Sequence, residues 1–100
     1  MIPSGIEIPR DRVEAFCRAN GIRRLALFGS VLRDDFLPHS DVDVLVEFFP
    51  NVRVGLAFFR MQEELSAILG RRVDLHTPGT LSKYFREEVL HDAEELYVAA

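Results

Sequence analysis

The stretch GSVLRDDFLPHSDVDVLVEF, residues 29–48, runs from a glycine–serine pair into the most hydrophobic segment of the chain. On a strand over 41–49, alternation puts Val42, Val44, Val46 and Phe48 on one face and Asp41, Asp43, Leu45 and Glu47 on the other. The first set is uniformly apolar and must face a core. The second sets two carboxylates side by side, where repulsion and lost hydration both raise their energy. Water or a positive charge has to compensate them.

The flanking segments alternate in type. IPRDRVEAFCRANG reads as a first helix, with Pro9 near its start, Val13, Phe16 and Cys17 along one side, and Asn20-Gly21 as its stop. IRRLALFG (22–29) is a short strand, and SVLRDDF opens a short helix with Ser30 as N-cap, closed by Pro38. Beyond the acidic strand, VGLAFFRMQEELSAILG (54–70) is a long helix carrying Leu56, Phe59, Leu65, Ile68 and Leu69 at helical spacing, with Gly70 just past its end. RRVDLHT (71–77) is a third strand, and TLSKYFREEVLHDAEELY (80–97) a closing helix with Thr80 as N-cap. This order predicts an α/β (α+β) fold: a small mixed sheet of three or more strands with helices packed on it. With 100 residues and no repeat or linker, the expectation is a single domain over residues 1–100.

Composition narrows the function classes. A net charge of −4 and the lack of any Lys/Arg run argue against a nucleic-acid or anionic-membrane reader. The basic residues are eleven Arg and the single Lys83, a bias that suits rigid phosphate or carboxylate recognition or reflects base composition. The lone Cys17 offers neither an internal disulfide nor a zinc cluster and reads as core. No apolar run approaches the ~18 residues of a membrane span, and MIPSGIEIPRDR lacks the order of a signal peptide. A cytoplasmic location is expected.

The chemistry gathers around the carboxylates. On the third strand Arg72, Asp74 and His76 share one face against Val73, Leu75 and Thr77. If the two strands are neighbours, Asp74 stands beside Asp41 and Asp43. Three converging carboxylates suit Mg²⁺, which takes oxygen ligands and shares them with substrate phosphates. A pair of such ions serves in-line displacement at phosphorus. Gly29-Ser30, at a strand end opening a helix, is placed to receive phosphate on backbone N–H groups.

FGSVLRDDFLPHSDVDVLVEF resembles the signature of the polymerase-β-type nucleotidyltransferase superfamily, G-S followed by S-D-x-D. The short chain resembles the minimal members, the MNT antitoxins that accompany HEPN-domain toxins. The resemblance implies a nucleotidyltransferase-like fold in which Gly29 and Ser30, with Arg33 and Ser40, hold the triphosphate of ATP. Asp41, Asp43 and Asp74 would ligate two Mg²⁺ ions, with Asp74 also orienting or deprotonating an acceptor hydroxyl. Asp34 stands where minimal members carry Gly after the Arg, and Asp tolerates the left-handed conformation that such a turn takes. The implied activity is transfer of AMP to a hydroxyl, a tyrosine, of a cognate HEPN toxin, as in type VII-like antitoxins. The alternative is a non-catalytic antitoxin that neutralises its partner by contact. A small-molecule transferase would need an added pocket domain.

Other residues read more plainly. His39 and His76 flank the cluster as exposed polar residues that could bind metal or acceptor, and His91 is surface. Lys83 and Arg86 form a solvated helix face within reach of phosphate, Glu47 is peripheral, and Phe58, Phe59 and Met61 are core, with a partner surface second. An open sheet edge or the Phe-rich helix leaves room for a homo-oligomer.

Overall fold

A computed structural model describes residues 7–33, 40–81 and 83–99. The elements follow as α1 (Arg10–Ala19), β1 (Ile22–Phe28), a 3₁₀ turn (Gly29–Leu32), β2 (Val42–Phe48), α2 (Ala57–Leu69), β3 (Val73–His76), a second 3₁₀ turn (Pro78–Thr80), α3 (Lys83–Asp92) and β4 (Glu94–Val98). One four-stranded sheet results, in the order β3-β2-β1-β4. β1 runs antiparallel to both β2 and β4, while β2 and β3 are parallel, with α2 as their crossover. The expected mixed sheet with packed helices is therefore observed.

Most of the core lies on one face of this sheet. Val42, Val44 and Val46 of β2 meet Val13, Phe16 and Cys17 of α1, Met61, Leu65 and Leu69 of α2, and Val73 and Leu75 of β3. The other face carries a smaller cluster of Phe28, Leu45 and Leu81, against which Val89, Leu90 and Ala93 pack. Leu45, which shares its face with Asp43, is thus buried because α3 and the turn before it cover that part of the sheet. Burial also pushes the Cys17 thiol up to about 12, with the Glu14 charge adding to the effect. Among the described residues no helix is long and apolar enough to cross a membrane.

Four expectations are corrected. The closing helix stops at Asp92, and its presumed last turn is β4. There the chain covers an edge of β1 that would otherwise leave its N–H and C=O groups open, so sheet completion overrides local helical pattern. Ser30 is not an N-cap: it lies inside a single 3₁₀ turn that follows Phe28. Thr80 does not cap α3 either, since its hydroxyl donates to the Thr77 carbonyl at 2.8 Å and accepts from the Thr77 N–H at 3.2 Å. On α2 the buried stripe is Met61, Leu65 and Leu69, whereas Leu56 and Phe59 are 85% and 65% exposed. Leu56 precedes α2 and Phe59 lies in its first turn, ahead of the first buried residue, Met61. The short-helix residues from Asp34 to Pro38, and His39, lie outside the described residues.

Candidate active site

Register brings the carboxylates together. β1 and β2 pair Phe28 with Asp43, which places Gly29, the next residue, against the Asp43 side chain. Gly29 has φ +77°, and a Cβ there would come within 2.5 Å of Asp43 Oδ2. Only glycine meets both requirements, the left-handed backbone and the close approach. On its other side β2 pairs with β3 in parallel register, Asp43 opposite Asp74 and Leu45 opposite His76. Period-two alternation then sets Asp43, Asp74 and His76 on the same side of the sheet.

The three form a compact group. One ligand atom from each lies within 4.8 Å of the other two. His76 Nε2 is 3.2 Å from Asp74 Oδ2 and 3.4 Å from Asp43 Oδ1. The imidazole meets the Phe28 ring edge-on, with centroids 5.2 Å apart. Burial pushes the Asp43 carboxyl above its ordinary value; His76 opposes that shift, while the Asp74 and Asp41 charges add to it. Asp41 stands just before β2, outside the compact group, with Arg72 Nε at a loose 3.9 Å. Its charge still reaches Asp43.

Ser30 and Arg33, two of the expected phosphate residues, lie in and just after the turn that Gly29 opens. Ser30 lies in the turn and its carbonyl accepts the Arg33 N–H at 3.0 Å. Arg33 is exposed and, with Gly29, Leu32 and Glu88, lines a cavity of about 380 Å³. Ser40 leads directly into Asp41 and is half-buried. Arg86 is not on a solvated face: it is half-buried, and its Nη2 donates to the Leu81 carbonyl at 3.1 Å. The Lys83 side chain lies outside the described set.

Two supporting residues carried no signal in the sequence. β3 is an edge strand, yet its outer N–H groups are satisfied by side chains of α2. The Leu75 N–H donates to Gln62 Oε1 at 2.9 Å and the Val73 N–H to Ser66 Oγ at 3.0 Å, while Ser66 Oγ donates to the Gln62 carbonyl at 2.8 Å. These bonds fix the backbone on both sides of Asp74. Polar residues four apart on a helix read as a solvent face until the neighbouring strand is known. The placement of His76, by contrast, followed from its parity with Asp74; its burial came from Phe28.

A model of the nucleotidyltransferase domain family matches residues 10–96. The chain belongs to that family. Protein adenylyltransferase MntA of Thermococcus cleftensis is 38% identical over 72 residues, which span 72% of each chain. A solved structure assigned as a minimal nucleotidyltransferase superposes with TM-score 0.74 at 33% identity, covering 93% of this chain and 94% of that one. Two toxin–antitoxin complexes share the fold at lower identity. One holds AMP-PNP, with TM-score 0.73, 20% identity and coverage of 92% and 75%. The other pairs MNT antitoxin with tri-AMPylated Shewanella oneidensis HEPN toxin, with TM-score 0.64, 21% identity and coverage of 90% and 70%.

Proposed function

We propose that this nucleotidyltransferase transfers AMP from ATP to a hydroxyl, a tyrosine, of a cognate HEPN toxin and thereby acts as its antitoxin. The observation that carries the reading is the pairing of Asp43 with Asp74 across parallel strands, with the bare backbone of Gly29 against Asp43. Two like charges in a part-buried notch are costly unless a cation joins them. The donor set fits a hard divalent ion, and Asp41, Asp43 and Asp74 would hold Mg²⁺, as two ions. When bound, Mg²⁺ would supply charge neutralisation at the reacting phosphate.

The remaining steps belong to the chain itself. Gly29 and Ser30 offer backbone N–H groups and a hydroxyl to the triphosphate, with Arg33 and Ser40 beside them. The acceptor oxygen attacks the α-phosphorus in line as the bond to pyrophosphate breaks. Asp74, exposed on the edge strand, orients the acceptor hydroxyl and takes its proton. A groove between α2 and β3, lined by Asp41, Gln62, Glu63 and Asp74 among others, gives the acceptor an approach.

The neighbouring name protein adenylyltransferase and the AMPylated partner of a structural neighbour support this choice of donor and acceptor. Incubation with ATP labelled at the α-phosphate, Mg²⁺ and the cognate toxin is expected to label the toxin. Asp41→Ala with Asp43→Ala is expected to abolish label and neutralisation together. Full neutralisation by the double variant would contradict the reading and favour inhibition by contact alone.

A further inference from the structure

We propose that His76 is a direct metal ligand of this centre, and that its nitrogen tilts the site from Mg²⁺ towards first-row transition ions. The proposal rests on the nucleotidyltransferase reading for the location of the metal and goes beyond it in the ligand set and the class of ion.

The position follows from the strand. His76 is two residues beyond Asp74 on β3, so both side chains leave the sheet on one side. Its neighbour across β2 is Leu45, which is buried against Phe28. Phe28 also stands edge-on to the imidazole. The apolar side of the ring is therefore supported by packing, and Nε2 is left towards the carboxylates.

Nε2 is shut off from water and faces carboxylates alone on its open side. The two nearest atoms are carboxylate oxygens at 3.2 and 3.4 Å. Metal–ligand bonds of about 2.0–2.2 Å set neighbouring ligands ~3 Å apart, so these separations are close to the edges of a coordination polyhedron. One ion in the notch would bond Asp43, Asp74 and Nε2 at once.

The chemistry of that set differs from three carboxylates. Mg²⁺ takes oxygen donors and keeps its waters, and gains little from imidazole. Affinity for nitrogen-containing sites rises along the first transition row. A histidine beside the acids thus selects within the divalent ions without adding negative charge.

Mn²⁺ is a suitable probe, because pulsed electron paramagnetic resonance detects a directly bonded nitrogen. The full chain loaded with Mn²⁺ is expected to show ¹⁴N coupling that changes to the ¹⁵N pattern when histidine alone is ¹⁵N-labelled. His76→Val, which keeps strand propensity, is expected to lose the coupling and to weaken Mn²⁺ binding by at least about tenfold. Mg²⁺ affinity should move by less than about twofold. His76→Gln provides the same comparison if the valine variant does not fold, as judged by circular dichroism. Bound Mn²⁺ without histidine coupling would overturn the ligand assignment and leave the carboxylate site standing. Failure to bind either ion would overturn both.

Discussion

The two ends of one sheet face treat negative charge in opposite ways. At the far end Glu47 accepts from Arg23 at 3.1 Å and from Arg24 at 2.8 Å, and Arg24 also reaches Glu95 at 2.8 Å. These carboxylates of β2 and β4 both find guanidinium groups, and the ion pairs tie three strands together. At the near end, among the described residues, Asp43 and Asp74, on β2 and β3, meet His76 rather than a guanidinium, and Asp41 has a distant Arg72. The same strand β2 supplies both arrangements, four residues apart. Matched charge ties strands together at one end, and carboxylates gather around an imidazole at the other.

Substitutions at the near end are expected to have the largest effects. Asp43→Asn keeps the shape and removes the charge, so AMP transfer to the toxin is expected to fall by at least about a hundredfold, the scale of losing one electrostatic contact in a transition state. Gly29→Ala adds a Cβ against the same carboxylate and forces an L residue to φ +77°. Transfer is expected to drop with it, and stability by about 1–2 kcal/mol, read by urea denaturation.

At the far end the order of effects reverses. Glu47→Gln is expected to cost about 1 kcal/mol, because the pair is part-buried and shared by two arginines, while label transfer stays within about twofold of wild type. Gln62→Ala, which frees the Leu75 N–H on the edge strand, is expected to have a smaller effect on stability, under about 1 kcal/mol, and to raise the metal concentration needed for half-saturation. A Gln62→Ala variant with unchanged metal binding would show that α2 supports β3 without positioning Asp74.

How much of this was legible in the sequence depended on whether the cause was local. The phase of β2, with Val42, Val44 and Val46 inward and Asp43 outward, follows from a period of two and was readable. So was Asp74, because a carboxylate at the inverse phase of Val73 and Leu75 had one face to occupy. β4 was not readable, since EELYV continues an acceptable helix and becomes a strand only because β1 has an edge to fill. The exposure of Leu56 and Phe59 depended on where α2 meets the sheet, which spacing alone does not define. The packing of His76 and the bonds from Gln62 and Ser66 required the neighbours across β2 and α2.

We propose that a divalent cation relieves the charge that Asp43 and Asp74 hold beside one another. It is tested most directly by thermal melting of wild type and Asp43→Asn, with and without Mg²⁺ and ATP, across pH. Because the folded Asp43 carboxyl is raised above its unfolded value, its favourable contribution is present below the unfolded value and is lost as pH rises through the folded one. Without metal at neutral pH, the variant is therefore expected to melt above wild type, with the gap closing on acidification. Mg²⁺ and ATP are expected to raise the wild-type melting temperature and leave the variant nearly unchanged. A metal-free variant that melts below wild type at neutral pH, or that gains as much from Mg²⁺ and ATP, would contradict the claim.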